Sequence, residues 1–130
     1  MPFRAWSAFV LFAAVGCSTT PSSTGGVPLG SEFTLKPGET ARVQSTDLRV
    51  TFVQVLNDSR CPGDALCVWA GDAVLALRVG SADVELRSNT APAQPVGTYT
   101  VRVQRVEPYP FTSKIIAPAD YRAVLVVTEH

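Results

Sequence analysis

Histidine is almost missing from this chain: the single one in 130 residues is His130, the last position. Chain ends fray by default, so an imidazole there is a poor base for a buried site. That excludes Ser–His and Cys–His nucleophile pairs inside the domain. Ser59 is left with carboxylates as its only neighbouring bases, and the acids lie scattered over turns rather than paired for glycoside hydrolysis. No catalytic residue is assigned, no cofactor is called for, and the expectation is a protein that is not an enzyme.

Charge of one sign is also lacking. Eleven basic and eleven acidic residues cancel, and lysine supplies only two of the bases. Without a basic stripe the chain has no electrostatic footprint for nucleic acid or for anionic headgroups. Long apolar runs are lacking too. The longest, Ala5 to Gly16 (AWSAFVLFAAVG), is twelve residues; a spanning helix needs about 20.

That run is nevertheless informative. Arg4 precedes it, small residues end it, and Cys17 follows Ala14-Val15-Gly16. A positive start, a short apolar stretch and a small-residue end make residues 1–16 a secretory signal. Ala14-Val15-Gly16-Cys17 resembles the lipobox of bacterial lipoproteins, with Ala14 where that motif most often has Leu. The resemblance implies that Cys17 is acylated and becomes the first residue of the mature protein. Ser18 rather than Asp after it implies the outer membrane of a diderm envelope. The competing reading is a freely secreted protein, since Ala14-Val15-Gly16 also satisfies ordinary signal cleavage.

Cysteine arithmetic separates the two. Three cysteines are an odd number for an exported chain. If Cys17 takes lipid, Cys61 and Cys67 remain as one pair. Two or more acyl chains anchor a protein stably, whereas one binds only marginally. The lipid bilayer is therefore the first expected partner. Removing the leader removes Arg4, leaving ten bases against eleven acids.

Residues 17–31 read as the lipidated cysteine and a flexible tether, rich in Ser, Thr, Pro and Gly. Residues 32–130 are one domain of a size that allows one modest core. Its pattern is β almost throughout. Short strands are expected over 32–35 and 40–44, joined by the type II turn signal Pro37-Gly38. The strongest strand is Leu48 to Leu56 (LRVTFVQVL). Its alternation changes phase at Phe52-Val53, which calls for a bulge or for burial of both faces.

Ala73 to Val79 and Asp83 to Arg87 form a hairpin across Gly80-Ser81-Ala82. Asn89 to Gly97, with Pro92 and Pro95, reads as a loop. Thr98 to Val106 and Tyr121 to Thr128 alternate again, the latter putting Tyr121, Ala123, Leu125 and Val127 on one face. No segment has a 3.6-residue apolar period. The expected fold is all-β: an antiparallel β-sandwich or small open barrel of seven to eight strands.

One segment is dense in unusual residues: Asp58 to Gly71, DSRCPGDALCVWAG. Cys61 and Cys67 flank Pro62-Gly63, which turns the chain back, and an oxidising compartment makes them a disulfide. A metal pair is disfavoured, because no other cysteine or internal histidine completes a site. Trp69 lies two residues past Cys67, on the same side of an extended chain. Its indole is expected to pack on the disulfide; the alternative is an exposed platform for a ligand. Asp58, Asp64 and Asp72 could hold Ca²⁺, but turn capping and a pairing with Arg60 account for them more simply.

The run Asp58-Ser59-Arg60-Cys61-Pro62, then Cys67, Trp69 and Gly71, and later Tyr99 and Pro108-Tyr109-Pro110, resembles a group of small bacterial lipoproteins. The resemblance spans most of residues 32–130 and implies a fold-level motif, not a chemistry.

The expected function is therefore a membrane-anchored envelope lipoprotein whose β domain is a binding or assembly module. Its candidate surface comprises Arg60 and Trp69 of the disulfide loop, and Tyr109 and Phe111 of the long segment Glu107 to Asp120. For Tyr109 and Phe111, capping an open end of the sandwich is the simpler expectation. The alternatives are a protease-inhibitor-like domain presenting the preorganised Cys61–Cys67 loop, or a Ca²⁺-binding or hydrolytic domain using the aspartates.

Overall fold

A computed structural model describes residues 26–130. The leader, Cys17 and most of the tether lie outside the described residues. Eight strands are present among those described: β1 (Phe33–Leu35), β2 (Thr40–Arg42), β3 (Arg49–Asp58), β4 (Ala73–Val79), β5 (Ala82–Arg87), β6 (Ala93–Val96), β7 (Tyr99–Glu107) and β8 (Arg122–Glu129). They form two antiparallel four-stranded sheets, in the orders β1-β8-β7-β6 and β2-β3-β4-β5. Neither sheet closes on itself, so the fold is a β-sandwich rather than a barrel.

Alternation explains the core. Val50 and Phe52 on β3, Leu75, Leu77 and Val79 on β4, and Leu86 on β5 point inward from one sheet. Phe33 and Leu35 on β1, Val101 and Val103 on β7, and Ala123, Leu125 and Val127 on β8 meet them from the other. Each of these side chains contributes about 1.5–3 kcal/mol where it is large and fully buried. The hairpin closes as its apolar pattern requires, with Leu75 opposite Leu86 and Leu77 opposite Val84.

The phase change in β3 is a bulge. Pairing with β4 slips between Phe52 and Gln54, and again between Val55 and Asn57. Val53 is exposed, so burial of both faces is not the explanation. A third slip, between Val103 and Arg105 of β7, turns Val106 inward.

Two expectations need correction. The segment 89–97 is not all loop: it contains β6, which pairs with β7 from Ala93↔Arg102 to Val96↔Tyr99. Pro95 is compatible with a strand there because β6 is the edge of its sheet, where a missing N–H breaks no ladder. The domain's own contacts also begin before residue 32. Val27 forms a parallel bridge with Val43, donating to Arg42 O (2.7 Å) and accepting from Gln44 N (2.8 Å). Gly30 N donates to Val127 O (2.8 Å). These bonds fix where the chain enters: beside the β2–β3 turn and the C-terminal end of β8.

The segments 59–72, 88–92 and 108–121 leave the sandwich at the other end. β3 is ten residues long, which at 3.3 Å per residue puts the two poles about 30 Å apart. In the last of these segments Phe111 and Lys114 form an isolated bridge, and Pro118–Asp120 is a single 3₁₀ turn.

Candidate binding surface

The disulfide loop is built on a narrow neck. Ser59 N donates to Asp72 O (2.8 Å) and Cys61 N to Ala70 O (3.0 Å), extending the β3–β4 pairing into the loop. Gly71 makes the neck possible. Its φ is +69°, and a Cβ there would lie 1.8 Å from the Ser59 carbonyl oxygen, so only glycine fits. Above the neck, Ala65 N donates to Pro62 O (3.0 Å), and the chain turns back to join Cys67 to Cys61 with Cα atoms 5.8 Å apart.

Beneath this loop lies Arg60, whose side chain is 7% exposed. Its Nε and Nη2 donate to the two oxygens of Asp58 (2.8 and 2.7 Å). Nη1 donates to Val106 O (2.6 Å) and Nη2 also to Pro108 O (3.0 Å). The Tyr121 hydroxyl completes the group by donating to Asp58 Oδ2 (3.0 Å). Arg60 thus ties the disulfide loop to the end of β7, and the Tyr109 ring lies 5.4 Å from the guanidinium carbon.

Burial works against ionisation of Asp58. The bonds and charge of Arg60, together with the Tyr121 hydroxyl, outweigh it and hold the carboxyl below the ordinary carboxylate value. Burial and the same carboxylate push the Tyr121 phenol up to about 12.

Arg60 therefore does not belong to an exposed contact surface, contrary to expectation. Its bonds are made within the domain, and it lines a cleft of about 250 Å³ together with Tyr109, Gly71 and Asn89.

The second loop is locked to the first at two further points. Gly63 N donates to Pro110 O (2.8 Å). The Asp64 carboxylate accepts from Thr112 N (2.9 Å) and from its hydroxyl, and these two bonds hold its pKa below the ordinary value. Gly63 lies under the Phe111 ring, which a Cβ would meet at 3.0 Å.

Trp69 does not pack into the domain. It is 81% exposed, and Leu66, Val68 and Ile115 are exposed as fully or more so. The expected packing assumed an extended chain after Cys67, but the backbone bends at Val68 and Trp69. The buried side chain of this loop is Arg60, bonded to Asp58, Val106 and Pro108, not the indole. Tyr109 and Phe111 stand half exposed beside the same loop. Leu66 to Trp69 and Tyr109 to Ile115 thus lie on two loops cross-tied to each other at the pole remote from the chain's entry. Val68 and Ile115 escaped the sequence reading; their signal was an apolar residue in a turn-rich segment with no strand to bury it.

The three aspartates are kept apart in function. Asp58 serves Arg60 and Tyr121, and Asp64 serves Thr112. Asp72, buried at the neck, accepts from Asn89 N (2.7 Å), Thr90 N (2.9 Å) and the Thr90 hydroxyl (2.7 Å). Burial opposes ionisation of Asp72 too, but the Thr90 and Asn89 bonds overcome it and lower the pKa. Among the described residues no group of three or more His, Cys, Asp or Glu is placed to hold a metal ion. His130, its ring 2.9 Å from the Thr100 hydroxyl, sits at the entry pole, remote from these loops. No known protein family, curated protein or solved structure matches this chain.

Proposed function

We propose that this protein is a bacterial envelope lipoprotein, held in a membrane by acylated Cys17, whose β-sandwich presents the disulfide-loop pole to a protein partner. The observation that carries the proposal is the exposure of Leu66, Val68, Trp69 and Ile115 on one cross-tied pair of loops. Large apolar side chains left exposed at one end of a domain point to an interaction site. Tryptophan and tyrosine on a rigid base, ringed by polar atoms, are the usual centre of such contacts.

The anchor and the chain's entry support a protein partner over the anchoring bilayer itself. Nine peptide steps separate Cys17 from Gly26, at most about 30 Å when fully extended. The chain joins the domain at the pole opposite the loops, about 30 Å away, an arrangement that leaves the loop pole free for a partner other than the anchoring bilayer. The near-neutral charge argues against nucleic acid. Ser18 favours the outer membrane.

Two experiments test this. Intact mass should find the mature chain beginning at an acylated Cys17 and retained by membranes after a high-salt wash. Soluble protein without acyl mass would sink the anchor. For the pole, a photo-cross-linker at position 69 should give a discrete adduct in cells, whereas one at position 47, near the entry pole, should not. Equal yields from both positions would remove the reason for choosing this surface.

A further inference from the structure

We infer that the Cys61–Cys67 loop is a substrate-like inhibitory loop that offers Leu66 to the specificity pocket of a serine endopeptidase cutting after large aliphatic or aromatic residues. This rests on the reading of the loop pole as a protein-binding surface and says what kind of partner it fits.

Four features of the loop converge on Leu66. Its side chain is fully exposed and has no packing role in the domain. It comes directly after the Pro62–Ala65 turn, so that it projects from the ring rather than filling it. Both flanks are fixed: Cys67 by its bridge to Cys61, and Asp64 by its two bonds from Thr112. The chain beyond the bridge, Val68 and Trp69, is also exposed and free to lie along an enzyme cleft. A loop held this way loses little conformational freedom on docking, which is what separates a tight inhibitor from a flexible substrate.

The ring has a further consequence for the chemistry. The enzyme's serine oxygen would add to the Leu66 carbonyl as its proton passes to the enzyme's own base, and expulsion of the Cys67 nitrogen, which takes that proton and leaves as an amine, would give an acyl-enzyme. That amine cannot diffuse away, because the Cys67 sulfur is bonded to Cys61, on the acyl side of the break. It remains beside the ester, re-forms the amide and releases the serine. If water attacks instead, one water is consumed and the two new ends stay joined through the bridge and the Asp64–Thr112 lock. Cleavage and resynthesis thus stay within one bound complex, the effective-concentration advantage of tethered reactants.

The test uses the protein purified from its producing cells, with chymotrypsin, subtilisin and trypsin as probes. Stoichiometric inhibition of chymotrypsin or subtilisin, and none of trypsin, is expected. Leu66→Arg should weaken the first by at least 100-fold and create inhibition of trypsin, with the melting temperature unchanged. A merely structural leucine would not transfer specificity. Val53→Ser, at an exposed position of β3 outside the two loops, should leave inhibition within about threefold, since primary specificity sits in one side chain.

No inhibition of any probe, rapid turnover at Leu66–Cys67 as an ordinary substrate, or an unaltered profile for Leu66→Arg would overturn the inference. A discrete adduct from position 69 without inhibition would reject the endopeptidase while keeping the binding pole. Absence of both would reject the two together.

Discussion

Arg60 and Asp58 form a two-point ion pair under the disulfide loop, at 2.8 and 2.7 Å, with side chains 7% and 11% exposed. The pair links this loop to the end of β7, from which the other loop departs, because the same guanidinium also satisfies the carbonyls of Val106 and Pro108. A buried pair of this kind is weak evidence for net stabilisation, but breaking it leaves an uncompensated charge.

Arg60→Met should therefore cost about 3–5 kcal/mol, as removal of one partner from a buried pair usually does. Arg60→Lys should recover little, since an ammonium cannot bond both Asp58 oxygens and two carbonyls in one plane. Urea unfolding of the three proteins measures this. A loss below about 1 kcal/mol, the value of an exposed pair, would show that the cluster does not hold the loops.

The shifted groups set a pH dependence at both ends. Asp58 and Asp72 have folded pKa values below the ordinary 3.8. Their contribution is fully present above that value and is lost as pH falls through it toward the folded values. Tyr121 is raised from 10.0 to about 12, so its contribution is full below pH 10 and disappears as pH rises through about 12. Stability measured across pH should fall on both limbs. Tyr121→Phe should flatten the alkaline limb selectively, and Asp72→Asn the acid limb; an unchanged alkaline limb in Tyr121→Phe would refute the Tyr121–Asp58 bond.

Reduction of Cys61–Cys67 should lower stability by about 2.4 kcal/mol, the chain-entropy value for so short a ring. Gly71→Ala should be worse for the loop than loss of the bridge. The positive φ alone costs a non-glycine residue about 1–3 kcal/mol, and the overlap with Ser59 O forces the neck apart. Hydrogen exchange at Ser59 and Cys61, whose amides bond across the neck, should rise in Gly71→Ala and stay protected after reduction alone. Equal protection in all three states would show that the neck does not depend on Gly71.

Much of this was legible in the sequence because the core follows a two-residue period. Tyr121, Ala123, Leu125 and Val127 share one buried face as the alternation requires, and the phase slip at Phe52-Val53 reported a real bulge. Strand β6 was hidden because Pro95 reads as a breaker, and only edge position, a tertiary property, makes it compatible with pairing. Trp69 was misread for a related reason. Counting two residues from Cys67 assumes an extended chain, whereas the backbone bends at Val68 and Trp69 and the buried position of the loop goes to Arg60. Arg60 is held by a network joining Asp58, Val106 and Tyr121 across more than sixty residues of chain, with no local signature. The pairing of Arg60 with an aspartate was foreseeable from their proximity; its burial was not.

The exposed position of Trp69 leads to the last prediction. An indole 81% exposed adds nothing to the core, so Trp69→Ala should change stability by no more than about 0.5 kcal/mol, as for other surface substitutions. Phe52→Ala, in the fully buried centre, should cost about 3–5 kcal/mol by comparison. With Trp6→Phe as background, Trp69 is the chain's remaining tryptophan, and iodide should quench its emission almost completely. If quenching is complete and stability unchanged, the side chain has no structural reason to be there, and the contact role proposed for the loop pole gains its most direct support. If the indole is shielded in the isolated protein and Trp69→Ala unfolds it, the loop packs on the sandwich after all. The exposed surface would then shrink to Leu66, Val68 and Ile115, too small and too scattered to anchor a partner.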